Sequence, residues 1–319
     1  MRISILILQL FLIQLLIGQN QNPFNGYLPM MKTSSLNWAS AMNKNETILF
    51  EAQPTIYYQI YNQYRQDSLA KKQALYVYFQ SHFRMYNEES LPVKTPSYMG
   101  FIGWQKSYNW VRKSQFTWLL ETGHYSNGQS RSTWNEQFED GSDSSEAAYR
   151  AINNESDLSQ LLNRSTGNFS VNLSRIRFQY VIPQKREQEN RVLLHKIALE
   201  YLRYHAAFTM LIDYTDGISD VEIIGENQFQ LEYESVFETV NRSRLTFNQE
   251  CTYLAGSHPS INPIRLKSTI SFFPKDWVTG FFVSYIHGHD NYNYRIVDSR
   301  NQVQLGIHFD FYNLRQHRL

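Results

Sequence analysis

The sequence is poor in the features that mark several common classes of protein. Cys251 is its single cysteine, which excludes an intrachain disulfide and a cysteine-rich metal site and leaves no cysteine near the N-terminus for lipid attachment. The net charge is only +1, so no electrostatic attraction to nucleic acid is expected. Beyond the N-terminus no apolar run approaches about 18 residues, so any crossing of a membrane must be made by strands.

The one long apolar run lies at the N-terminus, where Arg2 is followed by a run from Ile3 to Ile17. This pattern predicts a secretory signal peptide over residues 1–19. A membrane-anchoring helix is the alternative, although polar sequence follows the run at once. We expect residues 20–45 to be a polar N-terminal extension and residues 46–319 to form one domain.

Aromatic residues are abundant for so polar a chain. They make up 15% of it, with 22 Tyr and 20 Phe, while the mean hydropathy is −0.48. This combination suits a sheet whose two faces meet different solvents. Segments with strand character are separated by polar turns, and they are 47–61, 73–86, 97–105, 114–126, 168–182, 191–214, 228–237, 244–255, 264–273, 277–287 and 302–311. Because 191–214 counts as one strand or two, about eleven or twelve strands are predicted.

The last segment alternates most strictly. Val303, Leu305 and Ile307 share one face, while Gln304 and His308 share the other. This alternation is typical of a strand that faces lipid outside a barrel and a polar lumen inside it. The edge of a soluble β-sandwich has the same pattern, so the strand alone does not separate a membrane barrel from a secreted soluble β-protein.

Two stretches depart from the strand pattern. Residues 139–163 are rich in Ser, Asp, Glu, Ala and Leu, which predicts a long loop over 129–166 that carries short helices. Residues 194–208 also fit helical spacing, so the strand predicted there competes with a helix.

The stretch from Phe116 to Gln129 runs as an alternating strand into a His-x-Ser-Asn-Gly turn. His124 and Ser126 share its mainly apolar face, with Cα atoms about 7 Å apart. That face would be core in a soluble protein and would contact lipid in a membrane barrel. An imidazole at this spacing can take the proton of a serine hydroxyl, and the backbone N–H of Gly128 can meet an oxyanion. The alternative is that Ser-Asn-Gly simply forms a turn and that His124 lies beside it by chance.

The motif HYSNGQSRSTWN, residues 124–135, resembles the signature of the outer-membrane phospholipase A family. The segments YNEESLPVKTPSY, residues 86–98, and 277–309 resemble other parts of that family, so the likeness extends over most of residues 46–311. The resemblance implies an all-β fold, namely a transmembrane antiparallel up-and-down β-barrel of about twelve strands with the long loop on its outer side. It also implies a bacterial outer-membrane enzyme, with His124 as general base and Ser126 as nucleophile.

The third catalytic residue of that family is an asparagine, and two candidates exist. Asn135 matches the motif more literally, but a strand descending from it would place Gln137 and Glu139 in lipid. Asn172 begins a face that becomes apolar further along the strand, while the alternate positions are polar. We therefore prefer Asn172, although both residues also suit ordinary loop ends.

The resemblance further implies a Ca²⁺-dependent enzyme that is active as a homodimer. The ligands it indicates are the carbonyl of Gln129, a hydroxyl of Ser130 or Ser132, and either Ser90 of the partner subunit or Leu91 of the partner subunit. These are oxygen donors, which Ca²⁺ prefers, but solvated loop serines would give the same sequence.

The function predicted is a calcium-dependent outer-membrane phospholipase that hydrolyses acyl esters of membrane glycerophospholipids by a Ser-His-Asn mechanism. Two alternatives keep the barrel and change its role. One is a non-catalytic porin or structural barrel, and the other is a barrel that hydrolyses the acyl esters of lipid A.

Overall fold

The computed structural model describes residues 28–41, 47–64, 71–87, 89, 93–109, 114–186, 191–205, 221–239, 243–275 and 277–309. Within these residues one antiparallel sheet is built of β1 (Ser34–Ala41), β2 (Ile48–Gln53), β3 (Thr55–Asn62), β4 (Lys71–Tyr86), β5 (Ser97–Asn109), β6 (Gln115–Ser126), β7 (Ser170–Arg186), β8 (Arg191–His205), β9 (Asn227–Glu238), β10 (Arg244–Ala255), β11 (Ile264–Phe273), β12 (Thr279–His289) and β13 (Ser299–Phe309). The helices are α1 (Asp143–Arg150), α2 (Leu158–Leu161), α3 (Val221–Ile224) and a 3-10 helix (Asn293–Val297). No helix in the described part of the chain is both long and apolar enough to cross a membrane. The predicted signal peptide lies outside the described residues.

The sheet closes into a barrel because β1 pairs with β13 on one side and with β2 on the other. β2 and β3 act as one barrel strand, since both pair with β4 and their register is continuous: Ala52 lies opposite Phe83, and Thr55 lies opposite Gln80. The break between them falls at Pro54, which has no N–H to donate to the ladder. With β2 and β3 counted as one, the described barrel has twelve strands, which confirms the predicted fold class.

The twelfth strand comes from a place that the sequence pattern did not indicate. β1 lies in the stretch that we expected to be an extension. Of the predicted segment 191–214, residues 191–205 form one barrel strand, and residues 206–214 lie outside the described residues. In β1 Asn37 is buried toward the lumen and Trp38 is exposed. Because a barrel lumen accepts polar side chains, a short polar segment such as SSLNWASA can pair as a strand without an apolar core face.

The two faces of the barrel differ in chemistry. Large apolar side chains on the outer face are exposed, among them Ile56, Phe79, Ile102, Leu120, Leu199, Leu231, Ile270, Phe281, Val283 and Leu305. Charged side chains such as Glu51, Arg84 and Glu121 are buried inside. This arrangement is the reverse of a soluble protein, and it suits strands that meet lipid outside and a polar lumen inside.

A charged cluster in the lumen anchors the strands that carry the His-x-Ser motif. Glu121 on β6 accepts a hydrogen bond from the Tyr76 hydroxyl at 2.6 Å and pairs with Arg175 on β7, which lies opposite it in the ladder. Arg175 also donates to the Tyr78 hydroxyl at 2.8 Å. Since Tyr76 and Tyr78 belong to β4, which is separated from β6 by β5 alone, these bonds tie β6 and β7 to a nearby strand through the lumen.

The segment that precedes β1 lies inside the barrel. The backbone N–H of Met30 donates to Gln105 Oε1 at 3.2 Å, and that of Lys32 donates to the Tyr57 hydroxyl at 2.9 Å. The remaining lumen holds a polar cavity of about 460 Å³, lined partly by Met30 and Lys32. This segment therefore fills part of the passage that a porin would keep open.

Candidate active site

The His-x-Ser pair lies on the lipid side of the barrel wall. In β6 the side chains of Leu119, Glu121 and Tyr125 are buried toward the lumen, so those of His124 and Ser126 alternate to the outside, where both are half-buried. The pair stands at the end of β6 that leads into the long loop, which in membrane barrels is the outer end. The face that carries His124 and Ser126 is therefore the lipid-facing side of the barrel and not a protein core.

His124 on β6 forms a hydrogen bond with Asn172 on the neighbouring strand β7, on the outer face of the barrel wall. The antiparallel register of β6 and β7 places these residues opposite each other, and His124 Nδ1 lies 2.9 Å from Asn172 Oδ1. An amide oxygen only accepts, so the proton of this bond sits on Nδ1, and Nε2 is the nitrogen that can accept a proton from a serine. The side chain of Asn172 is only 2% exposed although it faces outward.

Asn135, the other candidate, is engaged elsewhere. Its Oδ1 accepts from the backbone N–H of Gln137 at 2.9 Å, and its carbonyl accepts from Phe138 N–H. These bonds form a local turn in the loop between β6 and β7. The structure thus brings Asn172, and not Asn135, into a hydrogen bond with His124.

The side chain of Asn127 fixes the Ser-Asn-Gly turn, a role that the sequence did not indicate. Asn127 is buried, and its Oδ1 accepts from the backbone N–H groups of Gln129 at 3.2 Å and Phe169 at 2.9 Å. Its Nδ2 donates to the carbonyl of Gly167 at 2.8 Å. Asn127 therefore clamps the turn after Ser126 to the start of β7.

Gly128 occupies the left-handed region of backbone conformation, with φ of 67°. A side chain is disfavoured there, which explains the Asn-Gly sequence. Gly128 is the residue whose backbone N–H we predict for the oxyanion.

The predicted calcium ligands lie beyond this turn. Ser130 is exposed, and its carbonyl accepts from Asp140 N–H at 2.9 Å. Ser132 is 1% exposed, and among the described residues its Oγ has no hydrogen-bond partner. A buried hydroxyl without a partner is costly unless something else is bound to it, so Ser132 fits an oxygen ligand of a cation. Ser90 lies outside the described residues, and within those residues no group of three or more His, Cys, Asp or Glu side chains is placed to hold a metal ion.

Comparison with known proteins identifies the architecture. No protein-family model and no curated protein sequence matches the chain. Solved structures do: outer membrane phospholipase A from Escherichia coli has a TM-score of 0.53 at 12% identity, covering 94% of this chain and 98% of that chain. The Salmonella typhi outer membrane phospholipase dimer with bound calcium has the same TM-score and identity, with 95% and 98% covered.

The chain has the fold of outer-membrane phospholipase A. At 12% identity this likeness establishes the fold alone. Together with the apolar outer face, it makes the chain an outer-membrane β-barrel that crosses the bilayer with its strands.

Proposed function

We propose that the barrel is a phospholipase that hydrolyses acyl esters of glycerophospholipids, with Ser126 as nucleophile, His124 as general base and Asn172 as the third residue. The observation that carries the proposal is the hydrogen bond between His124 Nδ1 and Asn172 Oδ1 on a surface that faces lipid. Polar side chains are expensive at a lipid surface, and they are kept there mostly for function.

The proposed reaction gives each of these three side chains one role. Ser126 Oγ attacks the ester carbonyl while His124 Nε2 takes the hydroxyl proton, and Asn172 accepts from the Nδ1–H of the resulting imidazolium. The oxyanion of the tetrahedral intermediate is met by the Gly128 N–H. Collapse breaks the bond to the glycerol oxygen, which takes the proton from His124. Water then hydrolyses the acyl-serine ester by the same steps and releases the fatty acid.

The outward orientation of the site suits this substrate. Acyl esters of phospholipids lie where the headgroup region meets the hydrocarbon, and His124 and Ser126 stand near the outer end of a spanning strand. A phospholipid can therefore reach Ser126 sideways within the outer leaflet. The E. coli structures include one described as an Asn→Ala active-site mutant, which supports an asparagine in the site.

We propose calcium as the cofactor, held by the Gln129 carbonyl and by the hydroxyl of Ser130 or Ser132, with Ser90 of the partner subunit completing the site in a homodimer. The Salmonella relative, a dimer with bound calcium, supports both parts of this proposal. When bound, Ca²⁺ acts as a Lewis acid that polarises an ester carbonyl. Gln129 and Ser130 follow Gly128 directly in the chain, so their oxygens lie close to the predicted oxyanion N–H.

Removal of calcium is expected to reduce the rate of acyl release at least about tenfold. Ser132→Ala is expected to raise the Ca²⁺ concentration needed for half-maximal activity about tenfold. Release of fatty acid from detergent-dispersed phospholipid, measured against free Ca²⁺, checks both. Ser144→Ala, an exposed serine in α1, is the control and should leave the titration unchanged. Activity that persists fully in excess chelator would contradict the cofactor.

Asn172→Ala is expected to lower kcat between about tenfold and a thousandfold, because the imidazole loses the group that fixes its tautomer. Asn135→Ala is expected to stay within about twofold of wild type, because it loses only a local turn. Parallel initial-rate measurements on the two purified variants decide between them. An Asn172→Ala protein that folds and retains full activity, beside an inactive Asn135→Ala protein, would reverse the assignment.

A further inference from the structure

A second group of polar side chains lies beside the His124–Asn172 pair on the outer face. Ser174 Oγ is 3.1 Å from Thr122 Oγ1 and 3.0 Å from His205 Nε2. Thr122 precedes His124 by two residues on β6, and Ser174 follows Asn172 by two on β7, so both face outward. The proposed reaction uses none of these three side chains.

The ladder places Asn172 between two histidines. β7 pairs with β6 on one side and with β8 on the other, and Asn172 lies opposite His124 in the first pairing and opposite His205 in the second. The three residues therefore form one row across adjacent strands, which lie about 4.8 Å apart.

Only one assignment of donors and acceptors allows all the hydrogen bonds of this group to form at once. Thr122 Oγ1 donates its one proton to the carbonyl of Leu173 at 3.4 Å. Ser174 must then donate its proton to Thr122, and it must accept from His205 Nε2–H. In the neutral ring of His205 the other nitrogen, Nδ1, is an acceptor.

The side-chain NH₂ group of Asn172 can be the donor to His205 Nδ1. Its Oδ1 accepts from His124, so its amide N–H groups are directed away from His124. We propose that His205 is a positioning residue whose Nδ1 accepts a hydrogen bond from Asn172 Nδ2, an inference that rests on the proposed function. This bond holds the Asn172 amide with its oxygen toward His124. In the flipped amide, the NH₂ group would face Nδ1–H of His124 and could not stabilise the imidazolium.

Two amide substitutions separate this role from a purely structural one. The oxygen of an asparagine side chain lies near the position of a histidine Nδ1, whereas the amide nitrogen of a glutamine lies near Nε2. We expect His205→Asn to remain within about threefold of wild type, since it keeps an acceptor for Asn172. We expect His205→Gln, which keeps only the donor to Ser174, to lower kcat about tenfold with KM unchanged.

The comparison includes matched controls on purified protein whose folding is checked by circular dichroism. His195→Ala, on the same face of β8 but hydrogen-bonded to Tyr233 at 2.8 Å, should have no effect on kcat. In an Asn172→Ala background, His205→Gln should cause no further loss. Full activity of His205→Gln, or a larger loss in His205→Asn than in His205→Gln, would overturn the positioning role alone. Absence of acyl release by the wild type would overturn the proposed function together with it.

Discussion

Ser126→Ala is expected to reduce acyl release by about 10⁴-fold to 10⁶-fold while the barrel still folds. The hydroxyl is the only group of the proposed site that forms a covalent bond with the substrate, so neither His124 nor Asn172 can replace it. Ser126 is half-buried on the outer face, and its removal leaves no cavity in the lumen. Fatty acid released from phospholipid in mixed micelles with Ca²⁺ is the measurement.

Ser170→Ala is the matched control for this prediction. Ser170 lies opposite Ser126 in the β6–β7 ladder and also faces outward, but the mechanism gives it no role. Its replacement should leave the rate within about twofold of wild type. Equal activity of Ser126→Ala and wild type would refute the nucleophile assignment.

Arg175→Leu is expected to destabilise the barrel by about 3–5 kcal/mol, because it leaves a buried carboxylate without its partner. Glu121 is 4% exposed and pairs with Arg175, which also lies 3.6 Å from Glu200. The change in the free energy of unfolding can be measured by denaturant titration of the barrel in lipid vesicles. The cost arises in the lumen, on the opposite side of the wall from Asn172.

The double variant Arg175→Leu/Glu121→Leu tests the cause of that loss. It removes both charges, so its stability should lie closer to wild type than that of the single variant. A single variant as stable as wild type would show that the cluster does not anchor β6 and β7.

The period-two pattern predicted most of this barrel, because strands between lipid and a polar lumen must alternate. The pattern did not indicate β1, since Ser34–Ala41 has only two large apolar side chains, Leu36 and Trp38, and depends on pairing with β2 and β13 to form a strand. The helical spacing of residues 194–208 competed with a strand, and the structure resolves that competition in favour of β8. Pairing with β7 and β9 overrides the local preference.

The candidate site was predicted from the resemblance of residues 124–135 to the family motif, and the alternation along single strands decided only the choice of its third residue. Asn172 was favoured over Asn135 because its face turns apolar along β7, and the structure places it in a hydrogen bond with His124. His205 was not singled out, because its place beside Asn172 depends on the register of β7 with β8, which no pattern within one strand reveals. The buried clamp made by Asn127 depends likewise on a contact with residues 167–169, about forty positions away in the chain.

Cleavage of phospholipid by the purified wild-type barrel is the most direct test of the proposed function. Folded protein is incubated with a detergent-dispersed glycerophospholipid, once with Ca²⁺ and once with excess chelator, and free fatty acid and lysophospholipid are quantified. We expect equimolar release of both products with Ca²⁺ and little release with chelator. A folded barrel that releases neither product at any Ca²⁺ concentration would contradict the proposed function and leave the non-catalytic barrel and the lipid A hydrolase as the alternatives.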